Sequence, residues 1–205
     1  MKRLFLVRHG ETDWNKQGIF RGVADVPLND TGLGQAKALG RYFSGIPLKA
    51  IYTSKLARTL DTAGGIARRQ PGGVSLVQTD DGLLEINRGD WQGLTLAQVK
   101  EKFPESYAKW FRDAEKVHFP GGESLGVVQR RAMRSFERIS REEGDIALVS
   151  HHVVLRTLLC GILGLGLSRF RQFELHPASV SELRLEYDAW VVHRLNDVCH
   201  LGRGG

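Results

Sequence analysis

The 205-residue sequence predicts an α/β fold: a three-layer α/β/α sandwich with a mostly parallel sheet, a C-terminal antiparallel hairpin and a helical cap. Apolar runs of strand length at 4–7, 50–52, 74–77 and 146–149 alternate with stretches of helical period at 32–43, 56–68, 125–141 and 153–163. That order is produced by βαβ units, which lay helices on both faces of one sheet. Residues 180–195, "VSELRLEYDAWVVHRL", alternate apolar and polar on either side of "YDA", the pattern of an antiparallel hairpin. Between Gly89 and Gly122, "LTLAQVKEKFPESYAKWFRDAEKV" has helical periodicity and is too long for a simple connection, so about 89–122 reads as the cap within a single domain spanning 1–205.

The first run, "LFLV", is apolar at every position, as a strand covered on both faces must be, and it stops directly on Arg8, His9, Gly10 and Glu11. In sheets of this kind ligands bind outside the carboxyl ends of the strands, so Arg8 and His9 open into a crevice. A strand-end pair bonded only to backbone is the alternative, and the other strand ends decide against it. "TSKLARTLDTA", 53–63, follows the second run and puts Arg58 in the first turns of a helix. "LLEINRGDWQG", 83–93, offers Glu85 after the third, and "LVSHH", 148–152, ends the fourth on His151. Taken singly, Arg58 could only pair with Asp61 and Glu85 only with Arg88, each three residues on. Together they bring two histidines, two arginines and a carboxylate to one end of the sheet.

Composition narrows the function classes. A hydrophobic share of 41% supports a packed core. The longest apolar stretch, "VVLRTLLCGILGLGL" at 153–167, is interrupted by Arg156 and by glycines, and Arg8 and His9 end the "MKRLFLV" run too early for a signal peptide. No membrane association is expected, and a cytoplasmic location is. Cys160 and Cys199 form neither a disulfide framework nor a metal-ligand spacing and read as reduced thiols. The 29 Lys and Arg against 23 Asp and Glu give +6, which favours anionic ligands. Nucleic acid is not among them, because the basic residues interleave with acids ("RRAMRSFERISREEGD", 130–145) as on a solvated helix face. Only the terminal "GRGG" reads as frayed.

In order along the chain, "LVRHGETDWN", "DVPLNDTGLGQA", "PGGES" and "VSHHVVLR" closely resemble the histidine phosphatase superfamily, the phosphoglycerate mutase-like proteins, whose hallmark is Arg-His-Gly after the first strand. The resemblance implies that His9 is the nucleophile that becomes phosphohistidine, with Arg8, Arg58 and His151 around the phosphate and Glu85 protonating the departing alkoxide. It also implies that Asn15 contacts the transferring phosphoryl group. Gly10 is expected to let the chain turn close to the phosphate. Neutral imidazole can attack phosphorus in line, and cationic neighbours keep its lone pair free. The same positive charge makes a metal unnecessary, and no cofactor is expected.

Three places depart from the family pattern. His152 stands where a glycine is usual; Arg21, beside Gly22 in "FRG", replaces a small or amide residue; Arg88 occupies a position that is often apolar or aromatic. We expect Arg21, Gly22, Arg88 and His152 on the substrate side, the plainer alternative for the two arginines being the protein surface. Adjacent histidines raise a metal site, but successive residues leaving a strand point to opposite faces and no third ligand is spaced for one. Trp14, Trp91 and Trp110 read as core or cap packing.

The expected function is a metal-independent phosphomonoesterase acting on a small phosphorylated metabolite through a phosphohistidine. The alternatives are a bisphosphoglycerate-dependent phosphoglycerate mutase, which resembles this chain but carries a longer insertion after the Glu motif and a longer tail, and a catalytically silent phospho-ligand binding protein, which would lack the nucleophile or acid. Compact members of the family include α-ribazole, phosphoserine, sugar-bisphosphate and broad-specificity phosphatases, and homodimers are common among them. Arginines at 21 and 88 further predict substrates with a second anionic group.

Overall fold

The computed structural model describes residues 2–202, so the expected fraying of "GRGG" falls, apart from Gly202, outside the described residues. One sheet contains β1 (Arg3–Arg8), β2 (Leu48–Thr53), β3 (Val77–Thr79), β4 (Asp145–Ser150), β5 (Val180–Glu186) and β6 (Ala189–Asp197) in the order β3-β2-β4-β1-β5-β6. β1 runs parallel to β4, β4 to β2 and β2 to β3, while β5 and β6 are the antiparallel addition. The helices are α1 (Asp13–Lys16), α2 (Asp30–Phe43), α3 (Ala57–Ala67), α4 (Leu96–Lys102), α5 (Pro104–Arg112), α6 (Leu125–Ile139) and α7 (His152–Ile162). Among the described residues no helix is long and apolar enough to cross a membrane.

The unbroken apolar run of β1 has a direct cause. Leu4 and Leu6 join a buried cluster with Val128 and Phe136 of α6 and Leu155 and Leu158 of α7, whereas Phe5 and Val7 join Leu39 and Phe43 of α2 and Ala63 and Ile66 of α3. Alternate residues of the central strands therefore face two separate helix layers, and both parities must be apolar. Trp91, Val99, Trp110, Val117 and Phe119 of the 89–122 segment belong to the same cluster as Leu4 and Leu6. One strand expectation is corrected. Gly73–Leu76 form a 3₁₀ turn that takes up residues 74–76 of the 74–77 run, and the strand begins only at Val77, because Gly73 is held at φ +56° and Val74 is left 67% exposed.

Register brings the carboxyl ends of the central strands level: Arg8 of β1 lies opposite Ser150 of β4, and Thr53 of β2 opposite Val149. The chain leaving β1 is then pressed onto the start of α2. Asn29 caps that helix by accepting from Gly32 N (2.9 Å), and its own N–H donates to Glu11 O (3.1 Å). Gln35 Oε1 accepts from Glu11 N at 2.8 Å. Contacts this close leave no room for a side chain, since a Cβ on Gly32 would sit 2.2 Å from Glu11 O. Replacing a helical glycine by alanine ordinarily stabilises by up to about 1 kcal/mol. Here the sign reverses: Gly32→Ala is expected to destabilise by about 1–3 kcal/mol through overpacking, read as a lower urea midpoint. An unchanged or raised midpoint would mean the approach of α2 to Glu11 is not as tight as described.

Candidate active site

His9 follows β1 directly. Its backbone is pinned on both sides, N–H to Ser150 O (3.0 Å) and C=O accepting from Ala178 N (3.1 Å), and its side chain is fully buried. Nδ1 lies 2.6 Å from Gly10 O. A carbonyl oxygen only accepts, so Nδ1 carries the hydrogen and Nε2 the lone pair; Nε2 is buried and has no partner among the described residues. Burial holds the imidazole well below its ordinary pKa, followed by repulsion from His151, Arg58, Arg21 and Arg8. The cationic neighbours expected to keep His9 neutral do act, but desolvation acts more strongly. The φ of Gly10 lies outside the left-handed region, and a Cβ there would meet Gly32 O at 2.8 Å, so the missing side chain admits α2 against this turn.

Arg8, Arg58 and His151 gather with His9. Arg8 is 7% exposed and donates from Nη1 to Leu175 O (2.5 Å), leaving Nε unpartnered. Arg58, fully buried in the first turn of α3, donates Nη1 to Ala24 O (2.8 Å) and Nη2 to Gly22 O (3.0 Å), and its Nε is likewise unpartnered. Desolvation and neighbouring cations push Arg8 down to about 9 and, with Arg21 acting against it, Arg58 to about 10, so both stay charged at neutral pH. His151 lies where β4 gives way to α7, its ring centroid 5.2 Å from that of His9. Its Nε2 is 2.8 Å from Ser54 Oγ, which is itself 2.8 Å from Thr59 Oγ1, while Nδ1 is buried without a partner. The expected alternatives for Arg58 and Glu85, pairing with Asp61 and Arg88, do not form among the described residues.

Beside this buried group opens a cavity of about 230 Å³ whose lining includes Glu85, Arg21, Gly22, Arg88, Asn15 and His152. Glu85 is 5% exposed and accepts from Ile86 N at 2.9 Å. Asn15 is held by Thr12, whose N–H and hydroxyl both donate to Asn15 Oδ1 (3.0 and 2.8 Å). Gly22 is required by φ +52° and because a Cβ would meet Gln92 Oε1 at 2.2 Å. Neither arginine is a free surface residue. The Arg88 guanidinium lies 4.9 Å from the ring centroids of Phe20 and Trp110 and 5.1 Å from that of Phe119, with Nη1 unpartnered. His152, the first residue of α7, has Nε2 3.9 Å from Glu174 Oε1. Burial and the nearby arginines 8, 156, 88 and 21 hold its pKa far down.

The sequence reading missed part of this wall. Trp14 lines the cavity rather than serving as packing alone, and Ile19, Phe20, Leu96 and Val153 join it; Trp91 and Trp110 are buried as expected. The signal for Trp14 was its place in "TDWN", one residue before Asn15. Nothing local marks Leu96, which reaches the cavity from the 89–122 segment.

Residues 4–198 match the model of the histidine phosphatase superfamily, branch 1. Phosphoserine phosphatase 1 of Hydrogenobacter thermophilus is 37% identical over 204 residues, covering 98% of this chain and 95% of that one. A metal-independent phosphoserine phosphatase of Arabidopsis thaliana is 33% identical over 208 residues, covering 98% and 84%. The solved structure of Bacillus stearothermophilus YhfR superposes with a TM-score of 0.89 at 31% identity, covering 98% of this chain and all of that one.

Burial of neutral histidines makes stability depend on pH with a definite sign. His9, His151 and His152 are lowered from 6.5 in the folded state, so between that value and their folded pKa the unfolded chain binds more protons. Stability is therefore complete above about pH 7 and falls as the pH drops through 6.5, each histidine approaching a slope of about 1.4 kcal/mol per pH unit. Urea midpoints measured between pH 5 and 7.5 should fall towards acid; a flat profile would mean that the three rings titrate alike in both states.

Proposed function

The chain belongs to the histidine phosphatase superfamily, and from that membership we infer a metal-independent phosphoric monoester hydrolase working through a phosphohistidine on His9. One observation carries the assignment to these residues. Arg8 Nε, Arg58 Nε, His9 Nε2 and His151 Nδ1 are all buried and, among the described residues, all unpartnered. The two arginine Nε–H groups are charged donors, and each left unpaired in the interior costs about 1–3 kcal/mol or more, so beside the free lone pair of His9 they make a site built for an anion. In this reading the phosphate oxygens supply the acceptors the arginines lack, and phosphorus meets the His9 lone pair. His9 Nε2 attacks phosphorus in line, the P–O bond to the leaving group breaks, and Glu85 passes its proton to the departing oxygen. Arg8 and Arg58 hold the equatorial oxygens as negative charge redistributes, with His151 beside them. Water then gives a proton to the Glu85 carboxylate and attacks the phosphohistidine, releasing phosphate and restoring neutral His9.

The outer cavity supports a substrate class. Arg21 and Arg88 stand there, and among the described residues that line it Glu85 is the one carboxylate, so the chamber keeps surplus positive charge after the phosphate is accounted for. We propose substrates with a second anionic group, of which phosphoserine, named for two of the relatives, is an example. Arg88 is held against Trp110 and Phe119, and Leu96 reaches the cavity, which supports reading the 89–122 segment as the cap that meets the non-reacting part of the substrate. The two free thiols, Cys160 and Cys199, suit a reducing cytoplasmic setting.

His9→Ala is expected to lower turnover by several powers of ten, each worth about 1.4 kcal/mol of barrier. Rapid quench of the wild type should trap a phosphoprotein that survives base and is lost in acid; an acid-stable phosphoester, or an active His9 variant, would refute the nucleophile. Arg88→Ala and Arg21→Ala should each lower kcat/KM on phosphoserine by about ten- to a hundred-fold, the size of a charge-assisted hydrogen bond, and lower it much less on a neutral-tailed phosphate. Equal losses on both substrates would remove the second-anion reading while leaving the phosphatase intact.

A further inference from the structure

The "PGGES" motif, residues 120–124, has no part in the chemistry above, yet it is joined throughout to the loop that carries Glu85. Pro120 O accepts from Asp90 N at 3.0 Å. A Cβ on Gly122 would lie 2.4 Å from Asn87 O, so backbone meets backbone there. Glu123 N donates to Asn87 O (2.8 Å), and Glu123 Oε2 accepts from Asn87 N (2.9 Å). Ser124 caps α6, the helix that bears Arg131.

Glu123 and Arg131 then form a two-pronged pair, Nε to Oε1 and Nη2 to Oε2, both 3.0 Å. The remaining hydrogens of Arg131 go to the acid's own loop: Nη1 to Gly82 O (2.9 Å) and Leu84 O (2.5 Å), Nη2 to Glu85 O (3.1 Å). All five N–H groups of the guanidinium are thereby engaged. Residues 84–88 have no regular secondary structure, and among the described residues the Glu85 carboxyl takes a hydrogen bond only from the next residue's N–H. Where that carboxyl points is therefore set by the loop backbone, and the loop backbone is held by this pair.

We propose that Glu123 and Arg131 are positioning residues for the proton donor Glu85, fixing the loop so that its carboxyl meets the leaving oxygen. The inference rests on the acid role of Glu85. A general acid contributes about a hundred- to ten-thousand-fold, and a misplacement near 1 Å forfeits much of such a gain. Loosening the clamp should hurt only leaving groups that need a proton; a clamp that merely stabilises the fold would affect every substrate alike.

The test compares glycerol phosphate, an alkoxide leaving group, with p-nitrophenyl phosphate, whose phenolate leaves unprotonated. Glu123→Gln keeps the side-chain volume and an acceptor for Asn87 N, and Arg131→Lys keeps the charge. Each should lose about ten-fold or more in kcat on glycerol phosphate and little on p-nitrophenyl phosphate. Adding Glu123→Gln to Glu85→Gln should cost nothing further on glycerol phosphate, because the group being positioned is already gone. Equal losses on the two esters, or full multiplication of the losses in the double variant, would overturn the positioning role. If Glu85→Gln alone shows no leaving-group dependence, the acid reading itself fails; if it does while the clamp variants do not, only the positioning inference falls.

Discussion

The structure is organised around a cluster of positive and imidazole groups held out of water with, among the described residues, no carboxylate partner within ion-pair distance. Arg8 and Arg58 are 7% and 0% exposed, His9 and His151 fully buried. Desolvating such groups costs several kcal/mol for each charge. The protein meets that cost mostly with neutral acceptors. Carbonyls of Leu175, Ala24 and Gly22 take the terminal nitrogens of Arg8 and Arg58, and aromatic faces hold Arg88. A carboxylate in their place would hold the arginines better and leave less field for an anion. Arg156 shows the contrast: its charge is matched by Glu174 at 2.8 Å.

That arrangement needs rigid support, and the two cores provide it. β1, β2 and β4 are covered on both faces, so their carboxyl ends cannot shift independently, and each contributes one end of the site: Arg8 and His9, Ser54 and the turn to Arg58, Ser150 and His151. The loops between are tied by backbone contacts that only glycine permits, at Gly10 against Gly32 and at Gly122 against Asn87. The motifs "DVPLNDTGLGQA" and "PGGES" are in this sense docking devices. The first presses helix α2 onto the chain leaving His9, and the second anchors the loop of Glu85.

Much of the fold and the site was legible because the signals are local. Both-parity apolar runs marked the buried strands, the helical periods placed α2, α3, α6 and α7 within about two residues, and polar residues at strand ends marked the crevice. The 74–77 run misled because apolar composition does not show whether a covering surface is there: Val74 stays 67% exposed. Trp14 misled in the opposite direction, since an aromatic side chain near a core pattern gives no sign of which of its neighbours is empty space.

The sequence by itself determined which residue types reach the carboxyl end of the sheet, because strand period and the βαβ order fix where a strand stops and which side chain follows. Only the tertiary structure decided how those side chains are wired. The His9 tautomer depends on Gly10 O lying 2.6 Å from Nδ1, the free Nε of Arg58 on two carbonyls from residues 22 and 24, and the place of Arg88 on rings contributed by residues 20, 110 and 119. The physical reason is range. Secondary structure is written in contacts a few residues apart, whereas burial, hydrogen-bond partnership and the electrostatic field at a site arise from segments that meet only when the chain is packed.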